Sequence, residues 1–211
     1  MRLYPVELVL QDRECLLVGG GKVAERKAIS LLEAGASLLV ISPRVTDWIR
    51  EAAHRSDLRW EKRSYQSGDL AKAFLVVVAT ERPEVNELVS REAWGAGILC
   101  NVVDDPRRCS FVVPAVLRRG DFSVSVSTGG NSPLLARRIR EKLEGMFGTE
   151  YESYMEFLGR MRIRAKERLR DPGDKDVFFR ELLTEEYLEL FRRGLGQEAE
   201  EKAEAMFHTT D

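Results

Sequence analysis

The stretch Gly19-Gly20-Gly21-Lys22-Val23-Ala24 constrains the fold more than any other, because of what stands on either side of it. Before it, Cys15 to Val18 is a short apolar run. After it, Ala24, Ala28, Leu31 and Leu32 fall at i, i+4, i+7 and i+8, one apolar stripe of a helix. A strand that turns on glycines straight into a helix brings bare backbone and a helix N-terminus up to an anion. In the pattern Gly-x-Gly-x-x-Ala each small residue has a task. Gly19 allows the tight turn, Gly21 leaves room for a pyrophosphate, and Ala24 lets the helix pack close on the sheet. Gly19, Gly21, Lys22 and Val23 are therefore candidate contacts to a dinucleotide, with a plain tight turn as the alternative.

The next eighty residues continue the alternation. Gly35 supplies the helix C-cap, and Ser37 to Ser42 reads as a second strand ended by Pro43. Thr46 to His54 reads as a short helix, Leu58 to Glu61 as an alternating strand, and Phe74 to Ala79 as a strand buried on both faces. Pro83 opens a helix through Val85, Leu88 and Val89, and Ile98 to Val103 is a further buried strand. Repeated β-α-β units with short links predict a Rossmann-like α/β fold, a doubly wound parallel sheet. Ser42, Pro43 and Arg44 stand where an acid usually binds the ribose, and no acid is there. Ser42 can bond a ribose hydroxyl and Arg44 can pair with a 2′-phosphate, so the residues leave NAD and NADP both open. Thr80, directly after the run 74–79, joins the cofactor-binding set.

The texture then changes. Val116 to Gly120 and Phe122 to Val126 show the half-buried alternation of antiparallel strands, Phe122, Val124 and Val126 against Ser123 and Ser125. A helix from Pro133 is predicted with Leu134, Leu135, Ile139, Leu143 and Met146 on its apolar side. From about Thr149 strand signals vanish, and two or three helices broken at Arg170 to Asp174 are expected. With 11 Lys/Arg against 16 Asp/Glu over 150–211, this tail reads as a solvated acidic unit.

Two other places carry chemistry. Asn101-Val102-Val103-Asp104-Asp105-Pro106 puts carboxylates at the C-terminal end of a strand, where open α/β sheets bind ligands. Asp104 is open between proton acceptor or metal contact and plain turn; Asp105, before a proline, reads as turn chemistry. Residues 107–144 hold eight Arg/Lys against three acids, either a solvated face or a site for a polyanionic small molecule. Ser127 to Pro133 precedes a helix and favours plain capping, Ser132 as N-cap and Pro133 at N1, over a second anion cradle.

Composition excludes some classes. The chain has 211 residues, 44% hydrophobic and 32% charged, enough to bury a core. Lys+Arg 33 against Asp+Glu 35 gives a net charge of -2, so there is no global basic field for nucleic acid, and apart from Phe111 and Phe122 no aromatics interleave the basic segment. No apolar run nears the roughly 20 residues needed to span a bilayer. The start Met1-Arg2-Leu3-Tyr4-Pro5 runs into charged Asp12-Arg13-Glu14 without a signal-peptide core, so a cytoplasmic protein off the membrane is expected. Cys15 and Cys100 read as core residues, Cys109 as the cysteine to watch, and His54 and His208 as too far apart for a pre-built zinc site.

Four motifs in order carry a resemblance. Leu17 to Lys27, Cys100 to Pro106, Phe111 to Ala115 and Ser125 to Arg137 are similar to stretches of the precorrin-2 dehydrogenase/sirohydrochlorin ferrochelatase family, which includes the N-terminal module of siroheme synthase. The helical tail carries no closely matching motif. The resemblance implies NAD-dependent oxidation of precorrin-2 to sirohydrochlorin, with Asp104 as the catalytic carboxylate and Ser42 to Arg44 lining the adenosine end. It implies NAD as cofactor despite Arg44. Asn101, Ser127, Thr128, Gly129 and Arg137 are the implied contacts to a tetrapyrrole polyanion. Ferrous iron is a possible second substrate, with Asp104 as a transient contact and no pre-formed metal site. The implied organisation is an NAD-binding domain over 1–112, a homodimerisation segment over 113–147 and a helical domain over 148–211. Methylation of uroporphyrinogen is not expected, since no methyltransferase segment is matched. The alternative from another class is a non-enzymatic NAD-sensing regulator whose acidic tail contacts a partner.

Overall fold

The computed structural model describes residues 3–207; Met1, Arg2 and His208 lie outside the described residues. The chain divides into two compact units, Met1–Val113 and Pro114–Asp211. In the first, β1 (Glu14–Val18), α1 (Lys22–Glu33), β2 (Ser37–Ile41), α2 (Asp47–His54), β3 (Arg59–Glu61), β4 (Leu75–Val78), α3 (Pro83–Ala96) and β5 (Leu99–Val102) follow in order. All pairings are parallel and the sheet order is β3-β2-β1-β4-β5. The predicted doubly wound sheet is present, and its order reverses between β1 and β4, where such sheets hold ligands beyond the carboxyl ends of their strands.

The apolar runs explain the sheet's burial. Leu17, Val40 and Val77 face one core with Ala24, Ala28, Leu31, Ile49 and Ala52 of α1 and α2. Their chain neighbours Leu16, Val18, Ile41, Val76 and Val78 face the other core with Val89 and Ala93 of α3. A strand buried on both faces needs apolar residues at every position, hence continuous runs rather than alternation. Cys15 and Cys100 are core residues as read, and burial pushes their thiols up to about 11 and about 12. Thr46 caps α2 by accepting from the Ile49 amide. Gly35 stands one position beyond the α1 cap at Ala34, with φ 77°. Gly35 and Ala36 donate to the Leu32 and Leu31 carbonyls, a Schellman end.

The second unit holds the antiparallel hairpin of β6 (Ala115–Arg119) and β7 (Phe122–Val126), then α4 (Pro133–Glu144), α5 (Glu150–Arg168), α6 (Pro172–Leu182), α7 (Glu185–Arg192) and α8 (Gly196–Met206). Among the described residues the tail thus has four helices, not two or three. Thr184 and the Gly194–Leu195 joint break it so briefly that apolar periodicity runs through them. It also has a core of its own, with Phe157, Met161, Leu182, Tyr187, Ala199 and Ala203 fully enclosed. Arg160, Arg164 and Arg168 of α5 pair with Glu200 and Glu204 of α8, which offsets part of its acid excess. A second correction concerns α4. Ala136 is its buried residue, whereas Leu134, Leu135 and Ile139 are exposed, and Met146 lies beyond the helix end. Most of the apolar side read from the sequence is thus exposed, with only Leu143 half-buried.

Candidate active site

The glycine turn leaves β1 under tight steric control. Gly19 has φ 125°, and a Cβ there would lie 2.1 Å from the Ala79 carbonyl oxygen. Gly20 is equally confined, since its Cβ would lie 2.1 Å from the Arg44 carbonyl oxygen. Gly21 is the opposite case. Its backbone is extended and a Cβ would meet nothing within 4 Å. The turn is held from behind: the Gly19 amide donates to the Ile41 carbonyl at 3.1 Å, and the Thr46 amide to the Gly20 carbonyl at 2.9 Å. No side chain caps α1, so its first amides stand unengaged by a capping residue at the positive end of the helix dipole. Open space at Gly21 before an uncapped helix fits a pyrophosphate. Lys22 pairs with Glu25 at 3.2 Å, and the Thr46 hydroxyl, with Lys22, holds the Glu25 carboxyl below its ordinary range. Val23 is exposed on the same turn.

The rest of the predicted cofactor set lies at neighbouring strand ends. Val18, Ile41, Val78 and Val102 are in register across the sheet, so the residues that follow them share one edge. Ser42 is buried and its hydroxyl donates to the Arg44 carbonyl at 2.6 Å, which shapes the turn after β2. Pro43 and Arg44 are exposed beyond it. Thr80 follows β4, its hydroxyl accepting from the Arg82 amide at 2.9 Å and its carbonyl from the Asn86 side chain at 3.2 Å. Sequence reasoning missed both Gly20 and Asn86. Gly20's role depends on the distant Arg44 carbonyl, and Asn86's on a bond across six residues.

The two acids after β5 separate cleanly. The Asp105 amide donates to the Val102 carbonyl at 3.2 Å, closing a turn in which Asp104 takes φ 61° while Val103 stays negative. That is the sign pattern of a type II turn, whose third position favours glycine or asparagine. Asp105 is tied to Arg108, which also reaches Glu87. Asp104 is exposed, and its carboxylate has no hydrogen-bond or ion-pair partner among the described residues. A charged group held unpartnered in a strained backbone conformation is a candidate for chemistry rather than for stability. Asn101, by contrast, is buried, with its amide donating to the Phe111 carbonyl at 3.0 Å. No group of three or more His, Cys, Asp or Glu able to hold a metal occurs among the described residues.

Ser127, Thr128, Gly129 and Arg137 belong to the second unit. The Ser127 hydroxyl accepts from the Gly129 amide at 3.2 Å and the Thr128 hydroxyl from the Ser132 amide at 3.1 Å. Ser132 caps α4 through the Leu135 amide at 3.2 Å, with Pro133 at N1, so the capping reading holds. Arg137 is exposed and pairs with Glu141 at 2.8 Å. Much of the basic segment is paired in the same way, including Arg108 and Arg140.

Comparison with known proteins reaches the same place. Residues 6–115 match a family model described as putative NAD(P)-binding, and residues 119–146 match the central segment of sirohaem biosynthesis proteins. A solved structure of SirC, a precorrin-2 dehydrogenase, superposes with a TM-score of 0.78 at 30% identity, covering 94% of this chain and 100% of that one. The chain belongs to the precorrin-2 dehydrogenase family. The resemblance carried by the four motifs is borne out. Siroheme synthase 1 of Aeromonas salmonicida is 39% identical over 208 residues, 98% of this chain and 44% of that protein. Siroheme synthase 2 of Serratia proteamaculans is 40% identical over 188 residues, 89% of this chain and 40% of that protein. The chain thus spans less than half the length of these curated relatives.

Proposed function

We propose that this chain oxidises precorrin-2 to sirohydrochlorin with NAD, a step of siroheme synthesis, and that Asp104 is the general base. The observation that carries this is the unpartnered, strained Asp104 carboxylate on the sheet edge that also carries the open glycine cradle. Bound there, NAD supplies the hydride acceptor. The protein must then take one proton from the substrate, and a positioned carboxylate contributes about 10²- to 10⁴-fold to such a transfer. Gly19, Gly21, Lys22 and Val23 hold the pyrophosphate, and Ser42, Pro43, Arg44 and Thr80 frame the rest of the cofactor.

The implied substrate contacts are refined by their surroundings. Ser127 and Thr128 accept hydrogen bonds from loop amides, which leaves each O–H free to donate to an acetate or propionate carboxylate. Arg137 gives up only a weak exposed pair to reach an anion. Asn101 keeps its place in this substrate-binding set, its side-chain amide donating to the Phe111 carbonyl at 3.0 Å. A homodimer is supported by the exposed Leu134, Leu135 and Ile139 of α4, a patch that a second copy would cover. No helix among the described residues is long and apolar enough to cross a membrane, and a cytoplasmic location fits this.

The test is anaerobic turnover of precorrin-2, with NAD and NADP in parallel, followed by NADH absorbance and sirohydrochlorin formation. Asp104→Asn keeps a side chain suited to positive φ and removes the base, so kcat should fall by about 100-fold or more while NAD affinity and thermal midpoint stay. Full activity in that variant places the base elsewhere. A protein that bound NAD but neither bound nor turned over a tetrapyrrole would instead support the sensor reading. Sirohydrochlorin with ferrous iron, compared with the uncatalysed rate, decides whether iron is a second substrate.

A further inference from the structure

The loop after β5 is anchored at nearly every residue except Asp104, and Cys109 stands at the centre of the anchoring. Its Sγ accepts from the Val102 amide at 3.2 Å and from the Asn101 side-chain amide at 3.6 Å. It also lies 3.3 Å from both the Val102 and the Asp105 carbonyl oxygens, so its S–H can donate to either. These are the two residues that open and close the turn in which Asp104 adopts φ 61°. The remaining ties sit further out. Ser110 exchanges bonds with the Cys100 backbone through its hydroxyl at 2.7 Å and its amide at 2.8 Å. Arg108 joins Asp105 to Glu87, and the Ser90 hydroxyl donates to the Arg108 carbonyl at 3.4 Å.

We propose that Cys109 is a positioning residue for this reaction, its thiol clamping both ends of the Val102–Asp105 turn so that Asp104 holds its left-handed conformation with the carboxylate free. This rests on the reading of Asp104 as the base. An aspartate at positive φ relaxes toward commoner backbone conformations unless its surroundings over-determine it. The thiol suits this role because it works as donor and acceptor at once. Burial raises its pKa, so it keeps the proton it must donate. Alanine offers neither function, while serine offers both on a shorter bond.

The experiment compares Cys109→Ala and Cys109→Ser with the full chain in anaerobic precorrin-2 turnover, with circular dichroism and NAD titration as controls on folding and cofactor binding. Cys109→Ala should lower kcat by about 10-fold with NAD affinity unchanged, as small displacements of a reacting group do. Amide exchange at residues 102–110 should quicken. Cys109→Ser should recover kcat to within about 3-fold of wild type, given that hydroxyl and thiol share donor and acceptor capacity. On an Asp104→Asn background, measured in single turnovers, Cys109→Ala should cause no further loss. Wild-type kcat in Cys109→Ala, with Asp104→Asn inactive, overturns the clamp alone. So does an equal loss on both backgrounds, because the thiol would then act through something other than Asp104. Wild-type activity in Asp104→Asn overturns the base reading and the clamp with it.

Discussion

Two of the glycine-containing turns that lead into helices differ in what stands before the first amides. Gly19 to Gly21 enters α1 with no side-chain cap, and the space beside Gly21 is open. Ser127 to Ser132 enters α4 through three hydroxyls that each accept from a loop or helix amide. Every helix start leaves orphan N–H groups that need a partner. The second turn supplies partners from its own serines and threonine, with Ser132 capping the Leu135 amide of α4. The first supplies none, and glycine at 19 to 21 keeps side chains out of the way. An uncapped helix N-terminus with room in front of it is a binding site; a capped one is first of all a joint.

The largest test of that contrast is Gly19→Ala. A side chain at φ 125° is strained, and its Cβ would overlap the Ala79 carbonyl oxygen. The combined cost is about 3 kcal/mol of stability. An unfolding free energy from urea titration lowered by that amount, with a lower midpoint and weakened NAD binding, is the expected result. An unchanged midpoint would mean the turn is not sterically locked.

Gly21→Ala sharpens the comparison because it separates binding from folding. The added methyl group meets no protein atom within 4 Å, so the thermal midpoint should stay at the wild-type value. The methyl instead stands where the pyrophosphate approaches. NAD binding should weaken by about 10- to 100-fold, roughly 1.4 to 2.8 kcal/mol, in a fluorescence titration. A variant that binds NAD normally would show that the anion does not sit at this amide.

How much of this was legible in the sequence depends on the range of the interaction. The sheet was readable because buried parallel strands need unbroken apolar runs, and Leu75 to Val78 and Cys15 to Val18 are such runs. The glycine turn was readable because strand, turn and helix are adjacent in the chain. Asp105 was readable as turn chemistry from the proline that follows it, whereas Asp104 stayed open, since its free carboxylate and the sign of its backbone angle leave no local pattern. The bond from the Asn101 amide to the Phe111 carbonyl was not readable, because it spans ten residues and leaves no local pattern. The side of α4 bearing Leu134, Leu135 and Ile139 was readable as apolar, but not as exposed: periodicity tells which residues share a face and says nothing of what covers it.

The smallest effect belongs to the self-capped turn, and it completes the contrast. In Ser132→Ala the Leu135 amide loses its acceptor while Pro133 at N1 still presets the helical backbone. Loss of a serine cap costs about 1 kcal/mol, so unfolding of the second unit should shift by that amount and exchange of the α4 N-terminal amides should quicken. NAD affinity should not move, because α1 takes nothing from this cap. The two variants then cross: Gly21→Ala alters binding at constant stability, and Ser132→Ala alters stability at constant binding. If Ser132→Ala weakened NAD binding as strongly as Gly21→Ala, the separation of cradle from joint would fail, and the α4 turn would have to be counted among the determinants of cofactor binding.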